Sequence, residues 1–231
     1  LVELGQLIRD PNVDAREVTA LLRQDPALVA RIIRMANSAA YARAEPAGSI
    51  EEALASIGFR EVHRLVGAVA AMQLTDQPLR LYGVAGGRLR ENSLFVAVTM
   101  EELAEATGEE PRSAYTVGLL RSVGKMALDR LAGADTAATA FAASGESELH
   151  AWEQKTWGVT NCEVAEKILL HWRLPHETII SILHHYHAAK FHNPIIHLLA
   201  LAAGSADDRL FGLPGEEKYW HCPQESFAKA G

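Results

Sequence analysis

Signals that start and stop helices recur along this chain from one end to the other, and no stretch alternates as a strand does. Asp14 with Glu17, Ser49 with Glu52 and Thr160 with Glu163 have capping-box spacing, in which a short acceptor and a Glu three residues on satisfy free backbone N–H groups. Asp25-Pro26 supplies a cap and then a proline at the first helical position, ahead of Leu28, Val29, Ile32, Ile33 and Met35. Val62, Leu65, Val66 and Val69 fall at i, i+3, i+4 and i+7, the spacing of an amphipathic helix. Further helices are expected from about Arg88 to Ala106, stopped by Gly108, and from Pro111 through Leu120. Two more follow Pro175, with Ile179, Ile182, Leu183 and Tyr186 on one face, and Pro194, through Ile196, Leu199 and Ala203. No alternating run is bounded by Asn-Gly or Asp-Gly turns, and aromatic residues, which strands favour, make up only 6%. The expected fold class is all-α.

The punctuation also divides the chain. Residues 1–74 read as an N-terminal helical lobe ending its short Ser49 helix at Gly58, and residues 88–210 as a second lobe. Between them Pro78, Gly83, Gly86 and Gly87 mark a hinge or irregular lead-in, without the strand–turn–helix setting of a phosphate loop. Residues 211–231, with Trp220, Cys222 and Pro223, fit no helical pattern and read as an extension, either docked on the body or reaching out.

With a net charge of −7 and scattered Lys and Arg, nucleic acid is not an expected partner. No apolar run approaches the roughly 20 residues that span a bilayer, so no membrane partner is expected either. Cys162 and Cys222 match neither a disulfide framework nor a zinc site. A cytoplasmic setting is expected, and a start at Leu1 fits a piece of a longer protein.

Three separated segments carry a family resemblance. Asp25-Pro26 leads to Asn37-Ser38-Ala39-Ala40-Tyr41, then to Ser49-Ile50-Glu51-Glu52-Ala53 and Ile57-Gly58. Gly118-Leu119-Leu120-Arg121-Ser122-Val123-Gly124-Lys125 is similar to a Gly-Leu-Leu-His-Asp-Ile-Gly-Lys pattern. Glu163-Val164 runs to Trp172-Arg173-Leu174-Pro175 and His184-His185. In this order and spacing they resemble HDOD domains, bacterial all-helical signalling modules related to the HD metal phosphohydrolases. The resemblance spans about residues 1–210. It implies an HD-domain-like multi-helix bundle with an N-terminal helical lobe.

In the catalytic relatives, His residues from several helices and an Asp hold divalent metal, which activates water for attack on phosphorus. Here the His-Asp pair falls on Arg121 and Ser122, other His positions on Asn92 and Asn161, and a late Asp on Gly204. A guanidinium has no lone pair to offer a metal. At ~4 Å and an effective dielectric near 20, its repulsion of each unit of positive charge is worth about 4 kcal/mol. The remaining ligand candidates are His184 and His185, which adjacent helical positions point about 100° apart. His150 to His197 holds eight of the ten histidines, with His184 and His187 spaced to face each other, but no acidic residue at ligand spacing joins them.

The expectation is therefore a module that is not an enzyme, takes no cofactor or metal, and acts through other signalling proteins or fused regulatory domains. Arg121 and Lys125, four apart on a presumed helix, are read in two ways: as an anion or phosphate pocket, or as halves of an ion pair with Glu163 or Glu153. Two alternatives remain open at this point, a metal-dependent phosphodiesterase of the HD superfamily and a nucleotide-binding sensor without turnover. Asn37-Ser38 is expected to close its helix through local bonds, and Trp152, Trp157 and Trp172 to serve packing.

Overall fold

The computed structural model describes residues 15–38, 45–57, 78–132, 140–142 and 148–220. The Asp14 half of the first capping box, Ala39 to Tyr41, Gly58, the Val62–Val69 pattern and Cys222 lie outside the described residues. Within them the chain is helical: α1 (Ala15–Leu22), α2 (Pro26–Ala36), α3 (Ile50–Ile57), α4 (Arg88–Thr107), α5 (Pro111–Leu120), α6 (Val123–Ala132), α7 (Leu149–Trp157), α8 (Asn161–His171), α9 (His176–His184) and α10 (Pro194–Asp208). Short 3-10 turns cover His185–Lys190 and Glu217–Tyr219. Among the described residues there is no strand, only an isolated bridge between Leu79 and Val84 in the lead-in to α4.

Local chemistry accounts for most helix ends. Asp25 Oδ1 accepts from the Leu28 N–H at 3.1 Å, so α2 is capped as its Asp-Pro start implies. The Thr160–Glu163 box at the start of α8 has both halves formed. At α3 the Glu52 N–H donates to Ser49 Oγ at 3.2 Å, while the Glu52 carboxylate accepts from the Gly48 N–H at 2.9 Å rather than from Ser49. Pro111 and Pro194 each stand in the first turn of their helices, behind side-chain caps from Glu110 and Asn193. Gly108 ends α4 in the left-handed conformation, at φ 82°.

One hydrophobic core joins the front and back of the chain. Leu28, Val29, Ile32 and Ile33 of α2 are fully buried, and they share a cluster with Ala53 of α3, Met100 of α4, Leu119 of α5, Leu169 of α8, Ile182 of α9 and Leu199 of α10. At ~1.5–3 kcal/mol for each large aliphatic side chain buried, packing outweighs the modest helix propensity of the β-branched residues in α2. A second cluster gathers Leu79, Tyr82, Val84, Leu128, Leu149 and Leu213, with Trp152 and Trp157 against it. The two indoles meet edge to face at 4.9 Å, and Trp172 packs against the main core, so all three tryptophans serve packing.

Asn37 departs from expectation. Its side chain does not close α2 locally. It accepts from the Ala47 N–H at 2.6 Å and donates to the carbonyls of Ala47 at 3.2 Å and Arg173 at 2.9 Å. A buried amide with unpaired backbone groups in reach is satisfied best by bridging them, and this one ties the α2–α3 connection to the turn after α8. Asn37→Ala leaves the buried Ala47 N–H without its partner and is expected to cost about 2 kcal/mol. The check is the urea midpoint; an unchanged midpoint would refute the tie.

Candidate functional site

The Arg121–Ser122 dipeptide sits in the break between α5 and α6, not within a helix, so Arg121 and Lys125 are not on one helix face as presumed. Both nevertheless point inward, at 2% and 1% exposure. Their common partner is Glu216, from the segment after α10, itself 1% exposed. Glu216 Oε2 accepts from Arg121 Nη1 at 2.8 Å, and Glu216 Oε1 accepts from Lys125 Nζ and, at 2.6 Å, from the Tyr186 hydroxyl. Arg121 Nη2 donates to Asn92 Oδ1 at 2.6 Å, and Asn92 Nδ2 in turn donates to the Phe211 carbonyl at 2.8 Å. The Trp220 ring lies 5.9 Å from the guanidinium, within cation–π range.

A second carboxylate stands beside this network. Glu153, fully buried on α7, accepts from the Asn161 backbone N–H at 2.8 Å, from Asn161 Nδ2 at 3.0 Å and from the Tyr82 hydroxyl at 2.8 Å. The ion pairing expected with Glu163 or Glu153 is thus corrected to Glu216. Glu163 is committed to the cap of α8, where it accepts from the Thr160 N–H at 2.7 Å, and Glu153 is held by Asn161 and Tyr82. The anion that Arg121 and Lys125 meet is a carboxylate of their own chain.

The ionisation states follow from these contacts. Burial opposes charge on Glu216, but Arg121 and Lys125, with the hydrogen bonds from Lys125 and Tyr186, outweigh it and hold the carboxyl at about 2. Arg121 is likewise desolvated, yet its pKa is raised because Glu216 lies against it. Burial drives the Glu153 carboxyl upward, against the Asn161 N–H and the Lys125 charge. His185 is pushed well down by burial and by Arg121, which keeps its imidazole neutral. Burial and Lys125 lower His150 to about 4.

The structure places the remaining expected positions as follows. His185 is buried with Nδ1 against the Ile182 carbonyl at 2.8 Å, whereas His184 is half-buried and stacks on Phe191 at 4.1 Å between ring centres. The two imidazoles diverge, and His187 breaks the helical path at φ −127° and ψ 36° rather than facing His184 along it. Asn161 opens α8 beneath Glu153. Gly204, on α10, faces Trp220, whose Cβ lies 3.2 Å from where a Gly204 Cβ would stand. Ser122 is buried and lines a cavity on the other side of α6. Glu216, Tyr186, Tyr82 and Trp220 carry the site without having been singled out for it.

A family model described as the HDOD domain matches residues 1–188. The chain belongs to the HDOD domain family. An uncharacterized protein of Treponema pallidum (strain Nichols) is 26% identical over 240 residues, covering 97% of this chain but only 43% of that protein. The HDOD chain therefore spans less than half the length of this curated relative. Among solved structures, the MmoQ response regulator of Methylococcus capsulatus (Bath) superposes at a TM-score of 0.72 with 24% identity, covering 99% of this chain and 93% of that one. A virulence factor of Campylobacter jejuni superposes at 0.66 with 15% identity, covering 99% and 92%. These likenesses establish the HD-like all-helical fold.

The metal of HD phosphohydrolases does not fit the residues present in this HDOD domain. At the positions that the motif resemblance aligns with metal ligands, the Arg121 guanidinium donates to Glu216 and Asn92 and leaves its buried Nε unpaired, and the Trp220 side chain lies against Gly204. Among the described residues, no three His, Cys, Asp or Glu side chains gather as a metal ligand set. Among them also, no helix is long and apolar enough to cross a membrane.

Proposed function

We propose that this HDOD domain is a non-catalytic signal-transduction module that works by binding other proteins or regulatory domains carried on a longer chain. The observation that carries the reading is the buried Arg121–Glu216–Lys125 network, built on the segment whose motif resemblance aligns Arg121 with a metal ligand of hydrolytic relatives. Two fixed cations repel a divalent ion, and their carboxylate is already committed to them. Family membership and the likeness to a protein named a response regulator support a signalling role. A nucleotide phosphate at Arg121 would have to displace Glu216 from a bond made in the interior, which counts against the sensor reading at that position.

The test joins metal analysis of protein purified without chelator to an assay against phosphodiester substrates, cyclic dinucleotides included. The expected result is no stoichiometric Mn, Fe or Ni and no turnover above buffer. Stoichiometric metal, with turnover abolished by His184→Ala and His185→Ala, would overturn the reading.

A further inference from the structure

Apart from the ion-pair network, the molecule contains a cavity of about 250 Å³ between α2 of the front lobe and α4, α5, α6 and α8. Leu120, Met126, Ile168 and Trp172 give it apolar walls. Two serines from different elements also line it, Ser93 of α4 and Ser122 at the α5–α6 break. They are 4% and 3% exposed, and each brings a hydroxyl that can both donate and accept. Arg31, Arg34 and Arg130 reach the cavity as well, but Arg31 and Arg130 are engaged in interactions of their own, and Arg34 lies over the Trp172 ring at 6.0 Å. An anion here would have to compete for those arginines and lose its water among apolar side chains, whereas an uncharged guest gives up little hydration on entry.

We propose that this cavity binds a compact, uncharged aromatic molecule of one or two rings that carries a single hydroxyl or ring N–H. A cavity of about 150 Å³ already admits benzene when its walls are apolar, so 250 Å³ has room for two fused rings. Met126 and Trp172 favour a flat π system over a saturated one, through sulfur–ring and ring–ring contact. The guest's polar atom meets Ser93 or Ser122, which sets its orientation within the apolar walls. Because α2 supplies one wall and α6 and α8 another, an occupant bridges the two lobes and favours the arrangement that holds them at this spacing. The site is separate from the Glu216 network, so its existence does not depend on whether the domain is catalytic.

The probe is 2-naphthol, compared by titration calorimetry with 2-naphthoate, its anionic counterpart, and with decahydro-2-naphthol, its saturated one. The expected result is one 2-naphthol per chain, bound saturably and about tenfold more tightly than either comparator. Ser93→Ala with Ser122→Ala weakens 2-naphthol about fivefold, the equivalent of one neutral hydrogen bond, and leaves naphthalene binding unchanged. Ala127→Phe, which fills the cavity from α6, abolishes binding of both. Absence of saturable binding, equal or tighter binding of 2-naphthoate or of decahydro-2-naphthol, or an affinity indifferent to the serine pair overturns the proposal. The two comparators act on the native protein, so they decide the matter even if neither variant folds.

Discussion

Glu216→Gln is expected to destabilise the domain by about 3–5 kcal/mol, the usual cost of removing one partner from a buried ion pair. The substitution keeps the side-chain shape but leaves Arg121 and Lys125 buried without a countercharge, and neither can reach water without opening the core. For a chain of this length that corresponds to a fall in Tm of roughly 6–20 °C. The same carboxylate sets an acid limit. Its pKa in the folded domain, about 2, lies below its ordinary 4.5. Its contribution is therefore complete above about pH 5 and is lost as the pH falls towards 2. Denaturant titrations of the native protein and of Glu216→Gln should converge over that window. Replacing all three charges together, by Arg121→Met, Lys125→Met and Glu216→Leu, should recover much of the loss, because no orphaned charge remains. A loss below about 1 kcal/mol in Glu216→Gln would mean that the network does not hold the core together.

Gly124→Ala is the second large effect. A Cβ on Gly124 would stand 1.8 Å from the Asn161 carbonyl oxygen and 2.7 Å from its carbon, backbone atoms that no rotamer change can move. The first turns of α6 and α8 would have to separate, and Asn161 is the residue that holds Glu153. Elsewhere in a helix the change from Gly to Ala gains about 1 kcal/mol of propensity. Here the expected outcome is a net loss of about 3 kcal/mol, a Tm lower by roughly 6–12 °C. A neutral or stabilised Gly124→Ala would show that the two helices do not meet at this distance.

What was legible in the sequence and what was not divide along a physical line. Capping boxes, first-turn prolines and stop glycines act on backbone groups a few residues away, so Thr160–Glu163, Pro111, Pro194 and Gly108 could be read directly and recur in the structure. The family motif likewise located Arg121, and charge chemistry called for an acidic partner as one of two readings. Which acid it would be had no local signature. Glu216 is 95 residues from Arg121, in a stretch with no helical period, and it competes on paper with every other carboxylate in an acidic chain. Glu163 and Glu153 were nearer in sequence and pointed the wrong way, because one was needed for a helix cap and the other by Asn161 and Tyr82. Asn37 failed for the same reason: its partners at Ala47 and Arg173 come from the fold, not from its neighbours.

The position of Glu216 also bears on how the domain is made. During synthesis α5 and α6 leave the ribosome some ninety residues before the carboxylate that neutralises their junction, and domains form as units while the chain emerges. Until residues 211–220 arrive, Arg121 and Lys125 keep their hydration, and the interior around them stays open. The nascent chain thus waits, with its front helices already able to form, for a latch that arrives some ninety residues later.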